Sequence, residues 1–223
     1  MKLISIKKKN GFSILAIILV IVAVIVAIGV WALSGESNSG GSQSTTSDVQ
    51  ASSILNDTGS IMSQFDRLII SGYNAERIIF KPNENNPYNL LDPNSGIAAM
   101  RPPSGVIRGE AAIPEGMYVY TKTIKGNQIG TEKNDYGIIV AGVKASTCRR
   151  LNYSLYGSET IPKVSAVANS AAFVSGATAA DPTSTTLIDL STNDALIGWA
   201  KGCVASASSD SDENVFFRIM KPN

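Results

Sequence analysis

Residues 12–33 carry no charged side chain, and their only polar groups are the Ser13 hydroxyl and the Trp31 indole. At ~1.5 Å per residue such a run makes a helix of about 33 Å, enough to cross the hydrocarbon core of a bilayer. A secretory signal peptide has a shorter apolar region, ~7–15 residues. A soluble helix of this length would also show a polar face. Lys2, Lys7, Lys8 and Lys9 precede the run, and Glu36 is the first charge after it. Basic residues favour the cytoplasmic side, so the N-terminus is expected inside and the remainder outside. Trp31 suits an interfacial anchor near the far end.

The formal net charge is +1, and the lysines beyond residue 9 form no basic stripe, so nothing points to a nucleic-acid partner. From about residue 48 onward the chain is long enough for one domain with its own core. There is no histidine, which excludes Ser-His-Asp and Cys-His catalysis and removes the commonest metal ligand. The two cysteines are Cys148 and Cys203. In an exported domain an even pair reads as one disulfide, and closing a loop of this size is worth roughly 4 kcal/mol in the chain-entropy model.

Residues 34–47 are rich in glycine, serine and threonine and read as a connector. A helical pattern follows from Asp48. Ile54, Leu55, Ile61, Met62, Phe65, Leu68 and Ile69 fall on one stripe, the face that a following sheet would cover. Ser47 or Asp48 is expected to cap this helix, and Ser71-Gly72 to end it. Short strands are predicted at 76–81, 117–124, 136–143 and 214–220, with 136–143 apolar enough to be central. Residues 146–156 return to helical spacing through Cys148, Leu151 and Leu155, with Ser146 or Thr147 as a cap. Residues 157–186 are small and polar and read as exposed, and 192–201 as a short helix. The order predicts an α+β chain: a long N-terminal helix, membrane-spanning then amphipathic, followed by an antiparallel head.

The basic leader, Gly11, Phe12, Ser13, Ile14, Leu15 and the apolar run together resemble the prepilin leader of type IV pilins and type II secretion pseudopilins. The resemblance implies cleavage by a prepilin peptidase between Gly11 and Phe12, and N-methylation of Phe12. It further implies packing with other pilin-like subunits through the N-terminal helix, and a late loop closed by Cys148 and Cys203. No cofactor is implied. The head would lie outside the inner membrane, or outside the cell in a filament. On this reading residues 1–11 are the leader, 12–33 the transmembrane and assembly helix, 34–47 the connector, and 48–223 the amphipathic helix with its head. Ala16, Ala23, Ala27 and Gly29 would allow close helix approach.

Two features depart from the family. It usually carries a glutamate five residues after the cut, where this chain has Ala16. That buried carboxylate is thought to pair with a neighbour's terminal amine, which makes its absence costly for register. The chain would then be a minor or tip-like subunit, or would not enter a filament. Gly40-Gly41 would cost about 1 kcal/mol each inside a helix. The rival reading is a single-pass anchored protein whose head binds an envelope or surface partner.

Other motifs read as structure. Asp210, Asp212 and Glu213 lack the glycine and distant glutamate of an EF-hand, so they read as a solvated acidic turn. The 126–130 segment lacks the lysine of a phosphate loop. Glu110, Glu115 and Glu132 are scattered, with nothing pairing them for acid–base work. Arg149-Arg150 reads as a solvated helix face, and Tyr118, Tyr120, Tyr136, Tyr153 and Tyr156 as core and sheet-face residues. Asn56-Asp57-Thr58 and Asn152-Tyr153-Ser154 match the glycosylation triplet, which means little in a bacterial setting.

Overall fold

The computed structural model describes residues 41–221 apart from 83, 92–100, 104, 107–115, 130–133, 165–169 and 207–213. Among the described residues, two α-helices, α1 (Gly41–Ile70) and α2 (Ala145–Tyr156), accompany seven strands. These are β1 (Val119–Lys125), β2 (Asp135–Val143), β3 (Lys163–Val164), β4 (Thr183–Ser184), β5 (Ile188–Asp189), β6 (Lys201–Ser206) and β7 (Asn214–Lys221). They form one sheet in the order β3-β6-β7-β2-β1-β4, with β5 also on β1.

The fold class expected from the sequence needs correction. The sheet is mixed, not antiparallel: β1 pairs parallel with β4 and β5, and β3 pairs parallel with β6. Among the described residues, β1–β2, β2–β7 and β6–β7 are the antiparallel pairs. No helix among the described residues is long and apolar enough to cross a membrane. The expected membrane helix over 12–33 and the leader with Gly11 and Phe12 lie outside the described residues. The described residues therefore form a mixed-sheet domain with two α-helices, not an antiparallel head.

Alternation along β2 sets the layers. Ile138 and Val140 point to one face and Ile139 and Ala141 to the other, and all four are fully buried. A strand covered on both faces belongs in the middle of a sheet. At Gly142, φ is +76° and the β2–β7 register shifts, a bulge that brings Val143 to the same core as Ile138 and Val140. The helices cover that first face. Ile54, Ile61, Phe65 and Leu68 of α1 and Cys148 and Leu151 of α2 pack there with Tyr118, Tyr120, Ile138, Val140 and Phe216. The stripe read from the sequence is thus a core stripe, with Leu55, Met62 and Ile69 along its margin.

Part of the cover on the second face, Val164, Phe173 and Val174, comes from 157–186, which the sequence reading left on the surface. Val164, Phe173, Val174, Ile188, Leu190 and Leu196 bury against Val119, Ile139, Val215, Phe217 and Ile219. This layer is built from two-residue strands and 3-10 turns (Ser170–Val174, Asp194–Leu196), which carry no period to detect. The predicted helix over 192–201 is only the second of these turns. The predicted strand at 76–81 is a 3-10 turn (Ala75–Arg77) followed by a single bridge from Ile79 to Asn89.

Helix α1 begins at Gly41, ahead of the expected start at Asp48, so residues 41–47 are helix and not connector. Weak helix formers are held there by tertiary contact. Ser47 and Ala51 are buried, Thr147 Oγ1 hydrogen-bonds Gln50 Oε1 at 2.9 Å, and Arg150 pairs with Asp48 at 3.3 Å. The expected stop is present. Tyr73 N–H donates to Leu68 O at 3.1 Å around Gly72, whose φ of +88° suits glycine. Arg218 of β7 fastens the middle of α1, donating to Leu55 O (3.2 Å), Thr58 Oγ1 (3.2 Å) and Met62 Sδ (3.4 Å). Burial lowers its pKa, an effect opposed by the charge of Asp66.

Gly137 fixes the spacing of β1, β2 and β7. A Cβ there would sit 2.8 Å from the Arg218 carbonyl oxygen and 3.1 Å from Ile124 Cγ2. Backbone cannot yield as a flexible side chain does, so Gly137→Ala is expected to cost about 1–3 kcal/mol. Chemical denaturation reads this directly, and an unchanged midpoint would contradict the close β2–β7 approach.

Candidate functional site

The residues with the most specific geometry lie where α2 meets the outer edge of β6. Helix α2 starts after Lys144, which makes no side-chain cap, so neither Ser146 nor Thr147 caps it. It ends at Gly157, in the left-handed region at φ 69°, whose N–H donates to Tyr153 O at 2.8 Å. Positions 148, 152 and 156 are four apart and share one helix face. All three grip β6.

Cys148 and Cys203 form a disulfide with a Cα–Cα separation of 5.4 Å, as the sequence predicted, and neither residue has exposed surface. One turn on, fully buried Asn152 binds the backbone of that same Cys203. Cys203 N–H donates to Oδ1 at 2.8 Å, and Nδ2 donates to Cys203 O at 2.9 Å and Thr160 O at 2.8 Å. A further turn on, the Tyr156 hydroxyl donates to Lys201 O. Its ring stacks on Trp199 with centroids 3.9 Å apart and planes 12° apart. Trp199 lies against Gly202, where a Cβ would come within 2.6 Å of its ring. Burial raises the Tyr156 pKa and, with neighbouring Arg218, lowers that of Lys201.

These contacts occupy several outward-facing backbone groups of β6. Lys201 O is bonded to Tyr156, both Cys203 groups to Asn152, and Ala205 N–H to Pro162 O. On the opposite side of the sheet, β1 carries β4 and β5, which form that edge.

What this region shows to solvent is aromatic and apolar. Tyr153 is 53% exposed, Ile197 47% and Tyr156 39%. The Arg150 guanidinium lies 6.0 Å from the Tyr153 ring centre and pairs with Asp48 and Glu159. Arg150 therefore belongs to a charge network bridging α1, α2 and the following loop. Of the five tyrosines read as core or sheet-face residues, Tyr118, Tyr120 and Tyr136 are buried, while Tyr153 and Tyr156 are surface residues.

No family model matches the chain, and neither does a curated protein or a solved structure. The surface must therefore be read from its own chemistry. Among the described residues, no three Cys, Asp or Glu side chains gather as a metal site. A stacked Tyr–Trp pair with flanking exposed apolar side chains and one arginine is the composition of a contact surface.

The other sequence motifs resolve as follows. Gly11, Phe12, Glu110, Glu115, Glu132, Asp210, Asp212 and Glu213 lie outside the described residues. Asn127, in the 126–130 segment, donates to Asn193 O at 2.9 Å and anchors the loop that carries Trp199. Asn152 is buried and fully engaged, so the second triplet is not open to glycosylation in the folded domain. The spacing Cys148–Asn152–Tyr156 was a readable helix face, but nothing in the sequence disclosed what that face would grip.

Proposed function

We propose that the chain is a structural subunit of the type IV pilus or type II secretion pseudopilus kind. It is cut between Gly11 and Phe12 by a prepilin peptidase and held in the inner membrane by residues 12–33, with its folded domain on the export side. The observation that carries this reading is the leader itself: Lys7-Lys8-Lys9, Gly11, Phe12 and the uncharged run to Leu33. The disulfide agrees with an oxidising compartment. The covered outer side of β6 bears on how such a subunit would assemble. With those backbone groups occupied, the folded domain does not offer β6 as a template for strand addition, which favours assembly through the apolar segment.

Mass spectrometry of the membrane-extracted protein tests the reading. Where the processing peptidase is present, the expected chain begins at Phe12 and carries one added methyl group. An intact Met1 under those conditions would overturn it. A second reading is favoured by the exposed Tyr153, Tyr156 and Ile197 together with Ala16. There the chain is an anchored, uncleaved binding module whose aromatic surface meets an envelope partner. The same spectrum separates the two.

A further inference from the structure

Cys148 and Asn152 reach the same residue by different chemistry. One side chain forms a covalent bond to the Cys203 sulfur, and the other pairs with the Cys203 amide and carbonyl. They sit four residues apart on one buried face of α2, so docking that face delivers both to β6 at once. The Asn152 contacts involve no sulfur and are available before any bond forms. We propose that Asn152 is a positioning residue for the disulfide: it binds Cys203 to α2 in the reduced chain and sets the two thiols side by side, and oxidation then locks an attachment already made.

The oxidative step needs an acceptor, which a small-molecule disulfide supplies. One cysteine thiolate attacks oxidised glutathione, releases one glutathione and forms a mixed disulfide. The second cysteine thiolate attacks the protein sulfur of that mixed disulfide and releases the other glutathione. Two protein thiols thereby lose two electrons and two protons, and one oxidised glutathione becomes two reduced ones. The readiness of the pair to close is its effective concentration against glutathione, and it rises as the reduced state pre-organises the thiols.

The test uses the full chain in detergent micelles. Without the bond, Cys148→Ser/Cys203→Ser is expected to remain folded, with the residue-203 amide protected from hydrogen exchange. In the cysteine-containing chain, Asn152→Leu is expected to lower the effective concentration of the pair at least tenfold, as loss of two buried hydrogen bonds to Cys203 implies. Ile61→Val, a core truncation on α1, provides the comparison for general destabilisation and is expected to shift it less than twofold. The inference is overturned if the double serine variant unfolds. It is equally overturned if Asn152→Leu leaves the effective concentration within twofold of the parent, or if Ile61→Val lowers it as much.

Discussion

Truncating Phe65 to alanine is expected to remove about 3–5 kcal/mol, a large part of the ~5–15 kcal/mol that holds a typical domain together. Phe65 is fully buried on α1, with its ring centre 5.8 Å from that of Tyr136 on β2. It is one of four buried stripe residues, Ile54, Ile61, Phe65 and Leu68, that fix α1 to the sheet. The substitution removes a whole aromatic ring from a face roofed by helix and floored by strand, where neighbours cannot close the space. Ile70, the last residue of the same helix, is 85% exposed, so Ile70→Ala is expected to change stability by less than ~0.5 kcal/mol. Denaturant midpoints of the two variants should differ accordingly. If Phe65→Ala unfolds within about 1 kcal/mol of its parent, roughly the scatter of such measurements, α1 is not docked as described.

The elements legible in the sequence are those with a period or a continuous apolar run. The α1 stripe, the α2 face and strand β1 repeat an apolar residue at the spacing of their geometry, while β2 and β7 are apolar runs of strand length. The glycine stop at Gly72 and the Cys148–Cys203 pair were legible for chemical reasons, conformational freedom and export. What was hidden depends on contacts distant in sequence. Residues 41–47 are weak helix formers, and the helix they open is tied to α2 through Asp48 and Gln50. Thr147, a natural cap, turns instead to Gln50. Phe173, Val174 and Leu196 cover a whole sheet face from turns and two-residue strands, where no periodicity exists.

The candidate site divides along the same line. Cys148 was evident, but Asn152 read as a discounted glycosylation triplet and Tyr156 as a core aromatic. Their partner is a strand edge some 50 residues away in sequence, an edge that α2 covers with side chains where another strand would pair (separation 51 for Asn152 and Cys203). Beside the two-residue strand β3, helix side chains and the Pro162 carbonyl supply partners for β6.

A second large effect is expected in alkaline solution, and its sign follows from burial. Tyr118 and Tyr120 are both fully buried, and burial raises both phenol pKa values well above the ordinary value of 10.0. Asp57 raises Tyr118 further, because its carboxylate accepts the phenol proton's hydrogen bond at 2.7 Å and would repel a phenolate. Tyr136 adds to the shift of Tyr120. Below pH 10 both phenols are protonated whether the chain is folded or not, and the stability they protect is fully present. Above it the unfolded chain releases protons that the folded chain retains, so stability falls by about 1.4 kcal/mol per pH unit for each tyrosine. Lys122 and Lys201, whose charged forms are disfavoured by burial, act in the opposite direction but are only partly buried. The two tyrosines are separable by substitution. The Tyr120 hydroxyl has no hydrogen-bond partner among the described residues, so Tyr120→Phe is expected to match or exceed the parent at pH 7. Tyr118→Phe loses its bond to Asp57 and is expected to be about 1 kcal/mol weaker there. Near pH 11.5 both variants should be more stable than the parent, because each has one fewer proton to retain. Denaturation midpoints across this range, read with tyrosinate absorbance, check the crossing. Parallel curves for parent and variants would mean that neither phenol is held neutral by the core.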